Sequence, residues 1–246
     1  RDSSMGAISD VFSEVESGGC DYGVVPVENS TEGVVSHTLD MFLTSPLFIC
    51  GEVSLRIKQN LMSQATSLSG IKVLYSHQQS LAQCRGWLDR HLGHDVERIA
   101  VSSNAEAAKL AAVDKTAAAI AGENAAGLYN LNILESNIED EPGNTTRFLV
   151  IGKQQVPPSG HDKTSLMLAT RNEAGGLHAL LSPLAKHKIS MTRIESRPSR
   201  RGIWDYVFFI DILGHQQDET VQQAFAELSQ KTNLFKVLGS YPVAVL

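Results

Sequence analysis

Alternation between strand-like and helix-like segments constrains the fold of this chain more than any other feature. Three short apolar segments, "GIKVLYS", "VERIAVS" and "TAAAIA", each precede a segment with helical periodicity. The helical segments are "HQQSLAQCRGWLDRHL", "NAEAAKLAAV" and "ENAAGLYN". A helix over residues 9–17 and the strand "DYGVVPVENS" come before them. Strands and helices that alternate at this length are typical of an α/β fold with right-handed crossovers and parallel strands.

The alternation stops in the segment "GKQQVPPSGHD", whose prolines and glycines are typical of a linker. From residue 163 the segments predict the order β-α-β-β-α-β, which is the ferredoxin-like split motif. We therefore predict a first region over residues 1–154, a linker over residues 155–162 and a second domain over residues 163–246. Pro183 lies inside the first helix of the second domain and is tolerable there as a kink.

Composition and charge exclude several classes of function. With 42% hydrophobic residues in 246, the chain can bury a core in one large domain or in two smaller ones. Its formal charge of -6 and the lack of a basic face argue against nucleic-acid binding and favour a small-molecule partner. No apolar run approaches the roughly 18 residues of a membrane span, so we predict no membrane insertion.

The spacing of cysteines and histidines indicates neither a disulfide framework nor a metal site. Cys20, Cys50 and Cys84 are widely separated and form no CxxC pair, which indicates reduced thiols in a cytosolic protein. The histidines show no HxH or HExxH spacing, and the sequence contains no glycine-rich dinucleotide loop. We therefore expect no metal and no cofactor.

Three polar residue pairs predict helix starts directly after strands. Each pair resembles a capping box, in which a short polar residue is followed three positions later by Glu or Gln. The pairs are Ser76 with Gln79, Ser103 with Glu106, and Asn29 with Glu32. Helix N-termini that collect at the carboxyl edge of a sheet offer free N–H donors and partial positive charge. We expect anions to bind at this edge, as ligands generally do in open α/β sheets.

The segment "EPGNTTRFLVIG" places polar residues against an apolar strand. Judged alone, it is either an ordinary polar turn before a buried strand or part of a site. If "TRFLVI" is a strand, Thr146 and Phe148 share one face and Arg147 lies on the other. Arg147 then needs a bend at the strand start to reach the ligand of Thr146. The preceding carboxylates, residues 139–141, are expected to form a solvated loop because their charge would repel an anion.

Five segments in order resemble the prephenate dehydratase family with its C-terminal ACT regulatory domain. They are "DYGVVPVENSTEG", "YSHQQSLAQC", "IED…GNTTRFLVIG", "NEAGGL" and "ESRPSRRGIWDYVFFID". The resemblance implies an α/β fold, with a two-lobed catalytic region like periplasmic binding proteins followed by a ferredoxin-like ACT domain. It also implies an N-terminal strand and turn that this chain lacks. A chorismate mutase domain precedes this region in some relatives, and the sequence leaves that point open.

The reaction that the resemblance implies is the decarboxylating dehydration of prephenate to phenylpyruvate in phenylalanine biosynthesis. Loss of the ring carboxylate as CO2 aromatises the ring when the ring hydroxyl leaves as water. Thr146 matches the catalytic threonine of the family, and we expect its hydroxyl to protonate or hydrogen-bond the leaving oxygen. Arg147 is the second catalytic candidate, either bonding the same ligand or orienting the threonine.

The resemblance also assigns binding residues. The candidates for substrate binding are Asn29, Ser30, Thr31, Ser76, His77, Gln79, Asn144 and Thr145. His77 is either a proton donor or a plain residue of the first helical turn. The candidates for binding phenylalanine as an inhibitor are Gly175, Gly176, Leu177, His178, Glu195, Ser196, Arg197 and Pro198. By resemblance this site lies between ACT domains of a homo-oligomer, at least a dimer. Close helix packing at the glycines and a solvated strand end at 195–197 are the structural alternatives.

Three other functions are compatible with parts of this pattern. Arogenate dehydratase differs only at the side-chain amino group of its substrate. A non-catalytic amino-acid sensor would keep the fold and the ACT domain. A secreted solute receptor is disfavoured by the cysteine pattern.

Overall fold

The structure is a computed structural model that describes residues 5–169, 174–199 and 206–244. It divides into two compact units. The first comprises residues 1–55 and 146–246, and the second comprises residues 56–145. The predicted boundaries at residues 154 and 163 stay predictions, since the first unit groups the ACT-like domain with part of the region before it.

The helices and strands follow one another along the chain with these bounds. The elements of the first two thirds are α1 (Ile8–Ser17), β1 (Tyr22–Asn29), β2 (Gly33–Val34), α2 (Ser36–Phe42), β3 (Phe48–Arg56), β4 (Asn60–Ser63), β5 (Val73–His77), α3 (Gln78–Gln83), α4 (Arg85–His91), β6 (Glu97–Val101), α5 (Asn104–Ala111), β7 (Ala117–Ala121), α6 (Glu123–Tyr129), β8 (Asn132–Glu135) and β9 (Thr145–Gly152). The remaining elements are β10 (Asp162–Ala169), α7 (Gly176–Lys186), β11 (Met191–Pro198), β12 (Tyr206–Leu213), α8 (Glu219–Lys231) and β13 (Leu234–Pro242).

The first unit contains a sheet with the strand order β2-β1-β9-β3. Strands β1 and β9 are antiparallel, and their register shifts between Pro26 and Glu28, which is a β-bulge at Val27. Beyond the bulge, Asn29 lies opposite Thr146. Helix α1 packs on this sheet through its apolar stripe, as the sequence predicts, and ends at Gly18 in the left-handed conformation with φ 86°.

The second unit is built on the sheet β6-β5-β7-β4-β8. Strand β5 pairs in parallel with β6 and β7, which confirms the predicted parallel strands. Strand β4 pairs antiparallel with β7 and β8, and the sequence analysis missed both β4 and β8. The single helix predicted over residues 77–92 is wrong, because the backbone leaves the helical conformation at Cys84 and starts a second helix there.

The C-terminal sheet has the order β11-β12-β10-β13, and in the described residues each pair of neighbouring strands is antiparallel. This is the predicted β-α-β-β-α-β domain. One face packs against α7 and α8 through Leu166, Ile210 and their neighbours. The other face shares a core with the β2-β1-β9-β3 sheet. At Gly239 the two layers come so close that an added Cβ would lie 2.1 Å from the Ile49 carbonyl oxygen.

Candidate active site

A hydrogen bond between Asn29 and Thr146 joins the ends of β1 and β9. The Asn29 Nδ2 atom donates to Thr146 Oγ1 at 2.8 Å. The Asn29 Oδ1 atom accepts from the backbone N–H groups of Thr31 and Glu32, at 2.9 and 3.0 Å. These two bonds fix the orientation of the amide, so its NH2 group faces the threonine. Thr146 is 9% exposed, and its Oγ1 accepts from Asn29 with one lone pair while its own O–H hydrogen can point elsewhere.

The turn at Asn29 differs from the sequence prediction. Asn29 was predicted to cap a helix with Glu32, but residues 30–32 form a turn and the strand β2 follows. The prediction is wrong because the Asn29 side chain bonds its own backbone two and three residues on, which closes an Asx turn without starting a helix. The next helix, α2, starts at Ser36.

Arg147 lies on the face of β9 opposite to Thr146, as strand alternation requires. Its Nε donates to Glu52 at 2.7 Å, its Nη1 to Asp211 at 2.7 Å and its Nη2 to the Tyr241 hydroxyl at 3.1 Å. Asp211 and Tyr241 belong to the C-terminal sheet. The guanidinium therefore connects β9 with that sheet and is not directed at Thr146, and a direct catalytic contact for Arg147 stays a prediction.

The network around Arg147 is buried and charged. Glu52 is 2% exposed in its side chain and also accepts from Lys163 Nζ at 2.8 Å and from the Ala244 backbone N–H at 3.0 Å. Burial raises the pKa of Glu52, but Lys163 and Arg147 outweigh it and leave that pKa below its ordinary value. Burial alone would lower the pKa of Arg147, and Asp211 with the other acidic neighbours raises it. Both groups are held in their charged forms.

The second unit assembles a polar cluster around Asn104. The Asn104 Oδ1 atom accepts from the Ser76 hydroxyl and from the His77 backbone N–H, each at 3.0 Å, and its Nδ2 donates to Ser80 at 2.8 Å. Ser76 is fully buried. The cap of α3 is His77, whose Nδ1 accepts from the Gln79 N–H at 3.3 Å. The prediction of Ser76 as the cap is therefore wrong, because its hydroxyl is bonded to Asn104.

The chain segment before Thr146 belongs to the second unit. Asn144 is buried and its carbonyl accepts from the Ile57 N–H at 2.7 Å, while the Thr145 hydroxyl donates to the Gly143 carbonyl at 2.9 Å. The carboxylates at 139–141 lie in the predicted loop, where Asp140 and Glu141 are exposed and Glu139 is half-buried. Glu139 accepts from the Gln59 N–H, and Asp140 accepts from two N–H groups at the start of α4. Backbone donors thus neutralise part of their charge.

The candidate effector residues lie at one end of the C-terminal sheet. Ala169 at the end of β10 and Arg197 near the end of β11 both pair with Val207 of β12. Gly175 caps α7 with φ 81°, a conformation that favours glycine, and Gly176 is buried. Exposed members of this set are Leu177, His178, Ser196 and Pro198, and half-buried members are Glu195 and Arg197. Residues 170–173 and 200–205 lie outside the described residues.

Sequence reasoning missed Asn104, Ser80, Gln59 and Glu52. Asn104 directly follows the Ser103 cap, and that signal pointed to a helix start and not to a cluster with Ser76. Glu52 lies in β3, where Val53 and Leu55 alternate with polar residues and were the available strand signal. Gln59 directly precedes β4, which has no such alternation.

Comparison with known proteins identifies the family. The model of the family described as prephenate dehydratase matches residues 2–156, and the ACT domain model matches residues 164–230. This chain belongs to the prephenate dehydratase family. A bifunctional chorismate mutase/prephenate dehydratase of Pseudomonas aeruginosa is 54% identical over 98% of this chain. The chain spans 66% of the length of that relative.

Two solved structures resemble the whole chain. A prephenate dehydratase from Arthrobacter aurescens in complex with L-Phe is 32% identical, with a TM-score of 0.86 over 97% of this chain and 80% of its own. A protein described as GqqA, a novel type of quorum quenching acylase, is 28% identical, with a TM-score of 0.85 over 97% of this chain and 87% of its own. The family fold is therefore that of the predicted two-lobed region followed by an ACT domain.

Two further findings concern metals and membranes. Among residues 5–169, 174–199 and 206–244, no group of three or more His, Cys, Asp or Glu side chains could hold a metal ion. None of the helices in that part of the chain is both long enough and apolar enough to span a membrane.

Proposed function

We propose that this chain converts prephenate to phenylpyruvate, CO2 and water, with Thr146 as the hydrogen donor to the departing ring oxygen. The hydrogen bond from Asn29 to Thr146 carries this proposal. Because the oxygen of Thr146 accepts from a fixed amide, the threonine O–H is the group left to donate to a ligand. Family membership and the named activity of the Pseudomonas aeruginosa relative support the substrate.

The dehydration requires a hydrogen-bond or proton donor at the departing ring hydroxyl. The bond between the ring and its carboxylate carbon breaks as CO2 leaves, and the electron pair of that bond completes the aromatic ring. The bond between the ring carbon and the hydroxyl oxygen breaks at the same time, and its electron pair leaves with the oxygen. The departing hydroxyl leaves readily only when it takes a proton and becomes water. A positioned donor contributes about 10²- to 10⁴-fold to the rate of such a step.

The residues for holding the two carboxylates of prephenate are assigned by the family resemblance. We assign substrate contacts to Ser30, Thr31, His77, Gln79, Asn144 and Thr145. Ser76 is fully buried and bonded to Asn104, so we assign it a supporting role for His77. Arg147 supports the strand that carries Thr146, which is the orienting role that the sequence allows.

We further propose that phenylalanine inhibits the enzyme by binding the ACT domain of a cytosolic homo-oligomer. The two effector segments approach the same end of the sheet, since Ala169 and Arg197 both pair with Val207. Strand β11 is the edge of this sheet in the described residues and exposes Ile194. The L-Phe complex of the Arthrobacter relative supports the effector.

The test is a phenylpyruvate assay on wild type, Thr146→Val and Thr44→Val. Thr146→Val keeps the side-chain shape but has no donor, so kcat is expected to fall about 10²-fold or more with an unchanged circular dichroism spectrum. Thr44 is exposed and outside the site, and its variant is expected to keep full activity. The chain and an N-terminally extended form are assayed in parallel. Full activity of Thr146→Val would overturn the assignment.

Assays of the same chain with other ligands distinguish the proposed function from its alternatives. Arogenate turnover faster than prephenate turnover would indicate the related dehydratase. Hydrolysis of an N-acyl substrate without prephenate turnover would favour the activity of the acylase relative. Phenylalanine binding with no turnover in wild type would indicate a sensor.

A further inference from the structure

Strand β11, which carries the segment Glu195–Pro198, also contacts the catalytic region directly. Beyond a bulge near Thr192, Arg193 and Arg197 lie opposite Asp211 and Val207 of β12. Val207 belongs to the core that the two sheets share, and Asp211 bonds Arg147. Since alternate residues of a strand share a face, both arginines point toward the β2-β1-β9-β3 sheet and α2.

Arg197 holds the start of α2. Its Nη2 contacts both carboxylate oxygens of Asp40, at 3.0 and 3.2 Å, and its Nε lies 3.2 Å from Asp40 Oδ1. Its Nη1 donates to the Ser36 hydroxyl at 3.0 Å. The other end of α2 is held by Lys236 of β13, whose ammonium donates to the carbonyl oxygens of Phe42 and Ser45. Residues of the ACT domain therefore bond both ends of this helix.

Arg193 reaches the strand that positions the catalytic threonine. Its Nε lies 3.3 Å from Glu28 Oε2. Glu28 is followed in the chain by Asn29, whose amide donates to Thr146. An ion pair, one peptide unit and one hydrogen bond thus connect the strand of the effector segment with the hydroxyl assigned to catalysis.

The Arg193 contact is incompletely satisfied. The Arg193 side chain is 10% exposed. Although its Nε lies 3.3 Å from Glu28, this contact lacks hydrogen-bond geometry, so within the described part of the chain Nε and Nη2 are buried without a hydrogen-bond partner. A buried donor without an acceptor is costly, so an arrangement that gives these atoms partners competes with the present one. A cavity of about 10 Å³, lined by Arg193, Val27 and Asp211 among others, lies beside the guanidinium. A small shift of β11 can therefore change the distance and angle between Arg193 and Glu28.

We propose that β11 transmits phenylalanine binding to Thr146 through two ion pairs, Arg193 with Glu28 and Arg197 with Asp40. This rests on the proposed function. An effector inhibits only if it prefers one arrangement over another. Phenylalanine at the end of β11 changes the position of this strand, the two arginines move their carboxylate partners, and Asn29 no longer presents the threonine hydroxyl to the substrate.

The test compares inhibition with binding in Arg193→Met and Asp40→Asn. Arg193 lies outside the segments assigned to phenylalanine, so the calorimetric affinity of Arg193→Met for phenylalanine is expected to change less than about three-fold. Asp40 pairs with Arg197 of the effector segment, so the inhibition of Asp40→Asn is compared with the affinity measured for that variant. The concentration of phenylalanine that halves dehydratase activity is expected to rise at least about ten-fold, since the coupling between sites is typically 5- to 150-fold. Arg98→Met is the matched control, because Arg98 pairs with Asp89 in the second unit.

The outcomes separate this proposal from the one on which it rests. A wild-type chain without dehydratase activity overturns the proposed function. A wild type that is active but insensitive to phenylalanine overturns the regulatory assignment together with this route. Wild-type inhibition that is retained unchanged in the variants overturns only the route through β11. If Arg193→Met does not fold, Asp40→Asn decides, since it removes the second ion pair from the catalytic side.

Discussion

At the scale of single residues, Asn29 of β1 and Arg147 of β9 lie close together on paired strands but bond different partners. Asn29 directs its amide at Thr146, while Arg147 turns to Glu52 and Asp211 on the other face. Alternation along the predicted strand "TRFLVI" placed Thr146 and Arg147 on opposite faces. The partners of Arg147 were not predictable, because Glu52 and Asp211 lie 95 and 64 positions away in sequence and no local pattern links them.

Replacing Glu52 tests the charged network through pH. The pKa of Glu52 is lowered in the folded state, so its contribution to stability is present above its ordinary pKa of 4.5 and is lost as the pH falls below that value. Glu52→Gln is expected to lower the free energy of unfolding by about 3 kcal/mol at pH 7, because Arg147 and Lys163 lose a buried partner. The variant is also expected to show a shallower loss of stability between neutral and acidic pH.

Urea denaturation across this pH range measures both effects. The exposed Glu135→Gln change is the control and is expected to leave stability at pH 7 unchanged. Identical pH profiles for wild type and Glu52→Gln would contradict the prediction.

At the scale of helices and strands, the elements with strong periodicity were predictable and the ones set by tertiary contacts were not. α1, α5, α8 and the order of the ACT domain follow from apolar spacing. Strand β4 was missed because all four of its residues are buried, so no alternation marks it. The bulge at Val27 directly follows Pro26, a local signal that the sequence prediction did not use, and it brings Asn29 opposite Thr146.

Gly239 of β13 gives a test of the contact between the two sheets. A Cβ at this position would lie 2.1 Å from the Ile49 carbonyl oxygen, so Gly239→Ala must push β13 away from β3. We expect a loss of about 2 kcal/mol or more in the free energy of unfolding. Gly51→Ala is the matched control, because its Cβ would meet Val150 at 3.7 Å, an ordinary contact. Equal stability of the two variants in urea denaturation would contradict this account of the packing.

At the scale of the molecule, the ACT domain shares a hydrophobic core with the β2-β1-β9-β3 sheet. Phe42, Ile49 and Leu149 pack in one cluster with Met167 and Phe209 of the C-terminal sheet. The sequence predicted two successive regions joined by a linker. It did not predict this shared core, because the hydrophobic pattern shows which face of a strand is buried but not what covers it.

A chain that ends at residue 154 is therefore expected to expose this apolar face. It should bind the dye ANS and aggregate, whereas the whole chain should do neither, as light scattering and dye fluorescence will show. The control is the whole chain cut within residues 155–158, which keeps the C-terminal sheet and is expected to remain a single particle. A truncated chain that stays monomeric without binding dye would contradict the shared core.

The order in which the two units occur along the chain has a consequence during translation. Residues 56–145 form one uninterrupted unit and can fold as soon as they have left the ribosome. Residues 1–55 emerge earlier, but β1 and β3 lack the strand between them until residue 152 has been made. The nascent N-terminal segment must therefore keep Phe12 and Val25 uncovered while the inserted unit is synthesised, which makes it the segment most in need of a chaperone.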